Sequence, residues 1–436
     1  MNKAFFSLLA LFLLPAALFA QDFGFGDDVS LAAGVNEISG GNSAVSISGE
    51  VSASLLGYGE DFHEGADYTR LGNIFSGKLN FAAGNSFGDA VINLKLSTYD
   101  FPEKLPISFD EAYLRVYFGI FEIEGGLRKL TWGKADSFGP LDVINPFDYS
   151  QITDVNDIMK MKIARPLVHA TARIGQFSKL EGVFVPNFEP YRFALSGRWA
   201  PVQMADLPAT PSFPDASTIE YAQTGFRFTS TIGSSDIGAQ YYYGRLPKPA
   251  FEINAAPDYS SISVNAIYNA YHQIGVDYAQ VLAGFNLRAE LAANITDDIE
   301  GDNGSVYNPH LLWSLGFDRD IVWGVNLNLQ CNETIRLLYD KINENPMLDM
   351  EADADASSTR ITAALSKKVL QDEFELRFAA IWQIESRDFF LTPALIWIRD
   401  AVKVELSGGI FGGDEEGDFG QYHKNNFIKV ELTYTF

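Results

Sequence analysis

The last ten residues, FIKVELTYTF at 427–436, alternate strictly between apolar and polar side chains. A period of two belongs to an extended strand rather than to a helix. One face of this strand carries Ile428, Val430, Leu432, Tyr434 and Phe436, and the other carries Lys429, Glu431, Thr433 and Thr435. One wholly apolar face and one charged face predict a strand in a wall between lipid and water, with the closing strand of a soluble sheet as the alternative.

The same alternation recurs along some 400 residues without a linker or a break in composition. Clear examples are the segments 45–55, 75–81, 92–97, 111–118, 285–291, 323–330, 373–382 and 402–407. A soluble β-sandwich would not sustain the pattern so evenly over this length. The sequence therefore predicts an all-β fold, a transmembrane antiparallel up-and-down β-barrel formed by residues 43–436.

The connections between these segments alternate between short and long. The short ones are Gly84–Gly88, Gly119–Ile120, Gly175–Ser178, Gly233–Ser235, Ala283–Gly284, Asp318–Asp320, Leu370–Gln371 and Arg399–Asp400. The long ones are 57–67, 99–106, 133–165, 187–219, 246–268, 297–308, 334–356 and 412–423, with a brief exception at Ser386–Asp388. Short periplasmic turns and long outer loops are typical of outer-membrane barrels. Counting strands predicts eighteen, with both termini periplasmic, and sixteen strands is the alternative. This count treats Arg192–Trp199 as part of a long loop, although the segment could pair as a strand.

The first twenty residues predict a secretory signal peptide, with Lys3 before an apolar core and Ala20 before the cut. Residues 21–42 are rich in Gly, Ser and Asn and are interpreted as a short periplasmic tail, with an extra strand at Val29–Val35 as the alternative. No later run reaches the ~18–20 apolar residues that a membrane helix needs. We therefore expect an exported protein located in the bacterial outer membrane.

Composition narrows the possible functions. The formal net charge of −24 argues against nucleic-acid binding. The five histidines stand in no metal-ligand spacing and beside no Gly-framed serine, so we expect no catalytic site, metal or cofactor. The acidic stretch 296–305 lacks the residue order of a calcium loop and is interpreted as a surface loop.

The aromatic end of the chain resembles the C-terminal signal of bacterial outer-membrane barrels. Tyr434 and Phe436 carry this resemblance. It implies that the barrel-assembly machinery reads the last strand, and that outer-membrane lipid surrounds the folded protein.

The least strand-like stretch is the long loop 133–165, which contains the turn signals Gly139-Pro140 and Asn145-Pro146. The run WGKADSFGPLDVINPFD at 132–148 resembles a pattern of porin-like outer-membrane families, including alginate-export-like and uncharacterised porins. The resemblance implies a pore whose third long loop folds into the lumen, and it names no substrate. The alternative is an extracellular flap.

An inward loop would direct its acidic residues at the barrel wall, where strand parity places basic residues in the lumen. The candidate constriction residues are Asp136, Asp142 and Asp148 on the loop, and Lys95, Arg115, Arg128, Arg173, Arg227 and Arg288 on the wall. An acidic loop opposite a basic wall would give a transverse field. The alternative is that acids such as Glu111, Glu124 or Glu290 neutralise the bases.

These observations favour a porin that passes small hydrophilic solutes by diffusion. The alternatives are a transporter for hydrophobic compounds, and an adhesive or structural surface barrel with acidic loops. Barrels that transport hydrophobic compounds usually carry an N-terminal plug. Residues 21–42 are too short to plug so wide a barrel, which favours the porin. The sequence leaves oligomerisation open.

Overall fold

The computed structural model describes residues 44–59, 72–98, 106–153, 157–194, 196–201, 209–255 and 262–436. The predicted signal peptide at 1–20, the tail at 21–42 and the alternative strand at Val29–Val35 lie outside these residues.

Eighteen antiparallel strands close into one barrel, as the sequence predicts. The first barrel strand pairs with both the second and the last, so the sheet has no free edge. The strands among the described residues are β1 Ala44–Tyr58, β2 Gly72–Asn85, β3 Gly88–Ser97, β4 Ile107–Phe118, β5 Phe121–Arg128, β6 Asp148–Tyr149, β7 Arg165–Ile174, β8 Ser178–Val185, β9 Arg192–Phe193, β10 Gln223–Ile232, β11 Ser235–Arg245, β12 Ala250–Ala255, β13 Ile262–Ile267, β14 Ala270–Leu282, β15 Phe285–Thr296, β16 His310–Asp320, β17 Asn326–Arg336, β18 Ser357–Val369, β19 Phe374–Gln383, β20 Asp388–Arg399, β21 Val402–Gly412 and β22 Phe427–Thr435. All but β6, β9, β12 and β13 belong to the barrel.

The alternating pattern becomes an inner and an outer surface. On β22 the apolar face is open to the surroundings, with Ile428 55% and Leu432 51% exposed, whereas Thr433 on the other face is 4% exposed. The other barrel strands likewise leave many large apolar side chains exposed on the outside. So much contiguous apolar surface is stable in hydrocarbon and not in water, which places this wall in a membrane.

Short turns join the strands at one end of the barrel. Two of them, Gly119–Ile120 and Ala283–Gly284, lie where the sequence predicts them. Gly119 adopts a φ of +61°, the left-handed conformation that a two-residue hairpin requires. The predicted turn at Asp318–Asp320 is wrong, because these residues belong to β16 and the turn occupies residues 321–325.

The opposite end of the barrel carries long loops with structure of their own. The third long loop spans residues 129–164, close to the predicted 133–165, and contains β6 and the short helix α1, Ile158–Met161. Its β6 pairs in parallel with β9 of the fourth long loop, residues 186–222. The connection predicted at 246–268 contains the hairpin β12–β13. No helix among the described residues is long and apolar enough to cross a membrane.

Two apolar clusters lie at the long-loop end, where loop residues pack on inward-facing strand residues. One, named here the aromatic cluster, joins Leu56, Tyr58, Phe147, Ile152, Met161, Trp199, Ile381, Phe390, Phe411, Phe419, Tyr422 and Phe427. The other packs Leu130, Trp132 and Ile144 of the third long loop on Leu167, Val183, Val185, Tyr242 and Tyr271 of the wall. The third long loop contributes to both clusters, so apolar packing fixes it inside the barrel.

Candidate pore constriction

Asn145 ties together the two ends of the third long loop. Its side-chain amide donates hydrogen bonds to the carbonyl oxygens of Arg128 and Ile163, at 3.0 and 2.8 Å. Its side-chain oxygen accepts from the Leu130 amide at 2.7 Å. Asn145 is only 2% exposed, so these bonds form away from water and hold the base of the loop in one shape.

A buried ion pair stabilises the interior of the same loop. Lys162 Nζ lies 2.7 Å from Asp142 Oδ2, and it also donates to Thr131 Oγ1 and to the Leu130 carbonyl oxygen. The Lys162 side chain is fully buried. Both charges belong to the loop. The prediction that Asp142 faces the basic residues of the wall is therefore wrong.

The far side of the loop is held by Glu290 of β15, which lies five strands along the wall from β7. One Glu290 carboxylate oxygen accepts hydrogen bonds from the backbone amides of Lys134 and Ala135, the latter at 2.7 Å. Its other oxygen accepts from the Leu141 amide at 3.2 Å. A carboxylate that collects three backbone N–H groups makes a strong attachment, because charged acceptors form stronger hydrogen bonds than neutral ones.

Further side chains of the wall form hydrogen bonds with the backbone of the loop. Gln330 of β17 accepts from the Asp136 amide at 2.8 Å and donates to the Ser137 carbonyl oxygen. Gln240 of β11 donates to the Leu141 carbonyl oxygen, and Gln273 of β14 donates to that of Pro140, each at 2.9 Å. The loop therefore lies inside the barrel and is attached along the wall formed by β11, β14, β15 and β17.

Asp136 is the one predicted loop acid that forms an ion pair with the described wall. Its Oδ2 lies 2.7 Å from Arg288 Nη1 and accepts a hydrogen bond from the side-chain amide of Asn328 at 2.8 Å. Arg288 also pairs with Asp318, so the three groups carry a net charge of −1. Burial raises the pKa of Asp136, against the opposing effect of Arg288.

Asp148 is the third predicted loop acid, and its ion pair is with another loop. It pairs with Arg192 of the fourth long loop at 3.0 Å, and Arg192 pairs with Glu189 at 2.8 Å. This contact follows from the pairing of β6 with β9, which brings the two loops together. The ion pair of Asp148 is therefore with a neighbouring loop, and Lys95 of the wall also lies within electrostatic range of this carboxylate.

Most of the predicted basic residues pair with acids of the wall itself. Arg115 pairs with Glu124 at 2.6 Å, Arg128 with Glu111 at 2.8 Å, and Arg227 with Asp277 at 2.7 Å. Arg173 pairs with Glu122 at 3.0 Å near the short-turn end. Lys95 lies opposite Lys78 of β2 and Ser108 of β4. An acidic loop opposite an uncompensated basic wall is therefore not what the described residues form.

His169 of β7 was not singled out by the sequence. Its Nδ1 lies 2.9 Å from Glu124, and its Nε2 lies 3.3 Å from Glu181. The two carboxylates extend the charged ladder that includes Arg115 and Arg128. No group of three or more His, Cys, Asp or Glu residues within the described ranges is arranged to hold a metal ion.

A closed eighteen-stranded barrel, apolar outside and charged inside, defines the class of this protein: a bacterial outer-membrane β-barrel. No protein-family model and no curated protein sequence matches the chain.

Solved structures of outer-membrane barrels resemble the fold. The BenF-like porin from Pseudomonas fluorescens Pf-5 aligns with a TM-score of 0.51 at 8% identity, over 91% of this chain and 98% of that one. Acinetobacter baumannii OccAB4 aligns with a TM-score of 0.50 at 8% identity, over 90% of this chain and 98% of that one. The likeness is one of fold.

Proposed function

We propose that this protein forms a water-filled channel for passive diffusion of small hydrophilic solutes across the outer membrane, and that the third long loop narrows it. The observation that carries the proposal is the attachment of this loop, inside the barrel, to Glu290 of β15 and Gln330 of β17. Barrels of sixteen to eighteen strands leave an aqueous channel unless something fills it. A loop inside the lumen is a stable way to narrow it, because lumen water can solvate its polar backbone.

The charged ladder of β4, β5, β7 and β8 supports a hydrophilic path. It combines Arg115, Glu124, His169 and Glu181 on lumen-facing positions. Paired charges in a water-filled lumen favour polar solutes over apolar ones without strongly excluding either sign. The proposed function is transport and involves no catalysis by the protein.

The experiment that tests this proposal removes the attachment of the loop. In Glu290→Ala the three backbone N–H groups lose their acceptor, at a cost of about 1–3 kcal/mol for each donor left buried and unpaired. We expect the loop to detach, so that single-channel conductance in planar bilayers rises and its noise increases.

Glu290→Gln is the matched control, because its amide oxygen can still accept a backbone hydrogen bond. Its conductance should stay closer to that of the unmodified protein. If the unmodified barrel conducts no ions, the channel proposal fails. If Glu290→Ala conducts with the same amplitude and noise as the unmodified protein, the loop does not narrow the channel.

A further inference from the structure

The outer face of β11 becomes polar at its long-loop end. Tyr241, Tyr243 and Arg245 lie on this face, because side chains alternate along a strand. Tyr242, between two of them, is fully buried on the inner face. Long loops of outer-membrane barrels face outward, so this end of the strand lies at the level of the outer lipid headgroups. Two phenol groups and one guanidinium therefore meet the membrane surface here.

The guanidinium of Arg245 is held in place by groups without net charge. Its Nη1 donates to the Tyr268 carbonyl oxygen at 3.1 Å, and its Nη2 donates to the Glu220 carbonyl oxygen at 3.4 Å. Its Cζ lies 4.9 Å from the ring centroid of Tyr221. Arg245 forms no ion pair with any acid among the described residues. A guanidinium has five N–H donors, so Arg245 keeps its full positive charge and has donors beyond the two in use.

His272 of β14 lies beside Tyr243 and completes the polar strip. The two residues are paired across the strands, and their rings lie 5.0 Å apart. The Tyr241 hydroxyl lies 2.7 Å from His272 Nδ1. A phenol hydroxyl donates readily to a neutral imidazole nitrogen, which leaves the ring proton on Nε2. The strip thus carries the guanidinium of Arg245, the hydroxyl of Tyr243 and the Nε2–H of His272.

The surroundings of this strip, within the described part of the chain, contain no acid paired with it. Glu220 offers Arg245 its backbone carbonyl, and its carboxylate forms no ion pair there. Lys248, three residues after Arg245, is exposed and likewise forms no ion pair with a described residue. In a chain with a net charge of −24, this patch is locally positive. It is therefore suited to an anionic ligand.

Apolar side chains continue the strip toward the hydrocarbon layer. Tyr241 is paired with Phe226 of β10 on one side and with Ile274 of β14 on the other. Phe226 and Ile274 are each 56% exposed, and Val276 follows on the same outer face. Donors thus lie at headgroup level and apolar side chains lie below them, which is the order of polar and apolar groups in a lipid.

We propose that Tyr243, Arg245 and His272 bind a phosphate group of an outer-leaflet glycolipid, whose acyl chains lie on Phe226 and Ile274. Arginine binds phosphate oxygens through paired, charge-assisted hydrogen bonds. Basic residues at a membrane surface also attract anionic headgroups. Because the site is on the outer wall, it does not depend on the proposed channel.

The test titrates the purified full-length barrel in neutral detergent with lipid A that carries two phosphate groups, and counts bound lipid by native mass spectrometry. Arg245→Met keeps much of the side-chain length and removes the charge. Its affinity for the lipid should fall roughly ten- to a hundredfold, as expected for loss of charge-assisted hydrogen bonds. Tyr243→Phe removes one hydroxyl and leaves Arg245 in place, so it tests the site even if Arg245→Met does not assemble. Its affinity should fall about two- to tenfold.

Arg319→Met is the matched control. Arg319 lies on the outer face of β16 at the short-turn end, with its Cζ 4.3 Å from the Phe285 ring centroid. This variant removes the same charge from the other end of the barrel, and its affinity for lipid A should equal that of the unmodified protein. Lipid A without phosphate should bind the unmodified barrel as weakly as the phosphorylated lipid binds Arg245→Met. Inorganic phosphate should not displace the bound lipid.

Four results would each overturn the proposal. Equal binding of lipid A with and without phosphate would mean that the acyl chains alone are bound. Displacement by inorganic phosphate would mean a site for free anions. An equal loss of affinity in Arg319→Met would mean unspecific attraction to charge. Barrels that associate through this strip without lipid, and separate in Arg245→Met, would mean a subunit interface.

Ion conductance distinguishes failure of the lipid site from failure of the channel. Arg245→Met should conduct like the unmodified protein, because Arg245 lies on the outer face of β11. A barrel that conducts no ions but binds lipid A through Arg245 would refute the channel and leave the lipid site standing.

Discussion

Asp136 of the third long loop forms an ion pair with Arg288 of the barrel wall. With Arg288 and Asp318 it forms a group of net charge −1, and it lies on the loop that we propose narrows the channel. Replacing Asp136 by Asn would make the group neutral while retaining an oxygen that can accept from Arg288. Local charge at a narrow point governs which ions enter most readily.

We expect Asp136→Asn to shift ion selectivity toward anions, and more strongly at low salt, where screening is weak. The reversal potential across a salt gradient in planar bilayers measures this shift. Because burial raises the pKa of Asp136, the unmodified channel should lose part of its cation preference on acidification, starting above the pH at which an ordinary carboxyl titrates. Asp136→Asn should lack that pH step.

Asp215→Asn is the control, since it removes the same charge from an exposed turn. Hydrogen bonds from Ser217 lower the pKa of Asp215, so this group titrates below the window expected for Asp136. Equal shifts in the two variants would show that Asp136 has no special position in the channel. The raised pKa of Asp136 also means that protonation favours the docked loop, so its attachment should not weaken as pH falls through that window.

The sequence was sufficient to select Asp136 and Arg288 as candidates, but not to show that these two residues pair with each other. Strand parity is enough to place Arg288 in the lumen, because side chains alternate along a strand. The attachment by Glu290 depends on backbone amides of a loop some 150 positions earlier in the chain, and no local pattern encodes that contact. The partners of Asp142 and Asp148 were missed for the same reason, since both depend on how the loops fold.

At the scale of elements, β22 closes the barrel and ends on Phe436. The Phe436 amide and carbonyl both bond to the backbone of Gly49, at 2.9 and 2.8 Å. The Phe436 ring covers Gly49, where an added Cβ would lie 2.9 Å from it. The last residue therefore fastens the seam between the first and last strands.

We expect Phe436→Ala to lower the amount of assembled barrel and to increase its degradation before assembly. The reason is the lost contact of the Phe436 ring with Gly49 at the seam between β1 and β22. Heat-modifiable mobility on gels and the amount of protein in outer-membrane fractions measure the effect. Val430→Ala is the control, because it removes apolar surface from the same face of β22 without touching the end. A Phe436→Ala barrel that accumulates to the same level as Val430→Ala would contradict this role.

The strands were predictable because a half-exposed strand imposes period two on the sequence. The turn at Asp318–Asp320 was misplaced because Asp is common in turns. In the barrel Asp318 instead faces inward and pairs with Arg288. The irregular loops were less predictable. The hairpin β12–β13 forms within one long connection, and Ser212 of the fourth long loop hydrogen-bonds to the Val264 carbonyl oxygen of that hairpin.

At the scale of the whole molecule, the barrel has two different ends. Long loops with acidic residues such as Asp353 and Asp414 lie at one end, and turns such as Gly119–Ile120 lie at the other. In an outer-membrane barrel the long loops face outward. Cysteine at Asp353 should react with a membrane-impermeant maleimide on intact cells, and cysteine at Gly119 should react only after cell lysis.

Both positions need the native Cys331 replaced by Ser first, so that labelling reports the introduced residue alone. Cys331 is partly buried within β17. Labelling of Gly119→Cys on intact cells, with Asp353→Cys protected, would invert the orientation.

The conductance of a barrel without its third long loop tests most directly whether this loop narrows the channel. The ends of β5 and β7 pair at Arg128 and Arg165, so a short Gly-Ser linker can replace residues 134–161 without breaking a barrel strand. The interstrand hydrogen bonds do not pass through this loop, so the barrel should still assemble and be heat-modifiable. We predict a larger single-channel conductance than that of the unmodified protein, because the loop and its attachment to Glu290 and Gln330 are gone. An assembled loop-less barrel with unchanged conductance would contradict the claim that this loop narrows the channel.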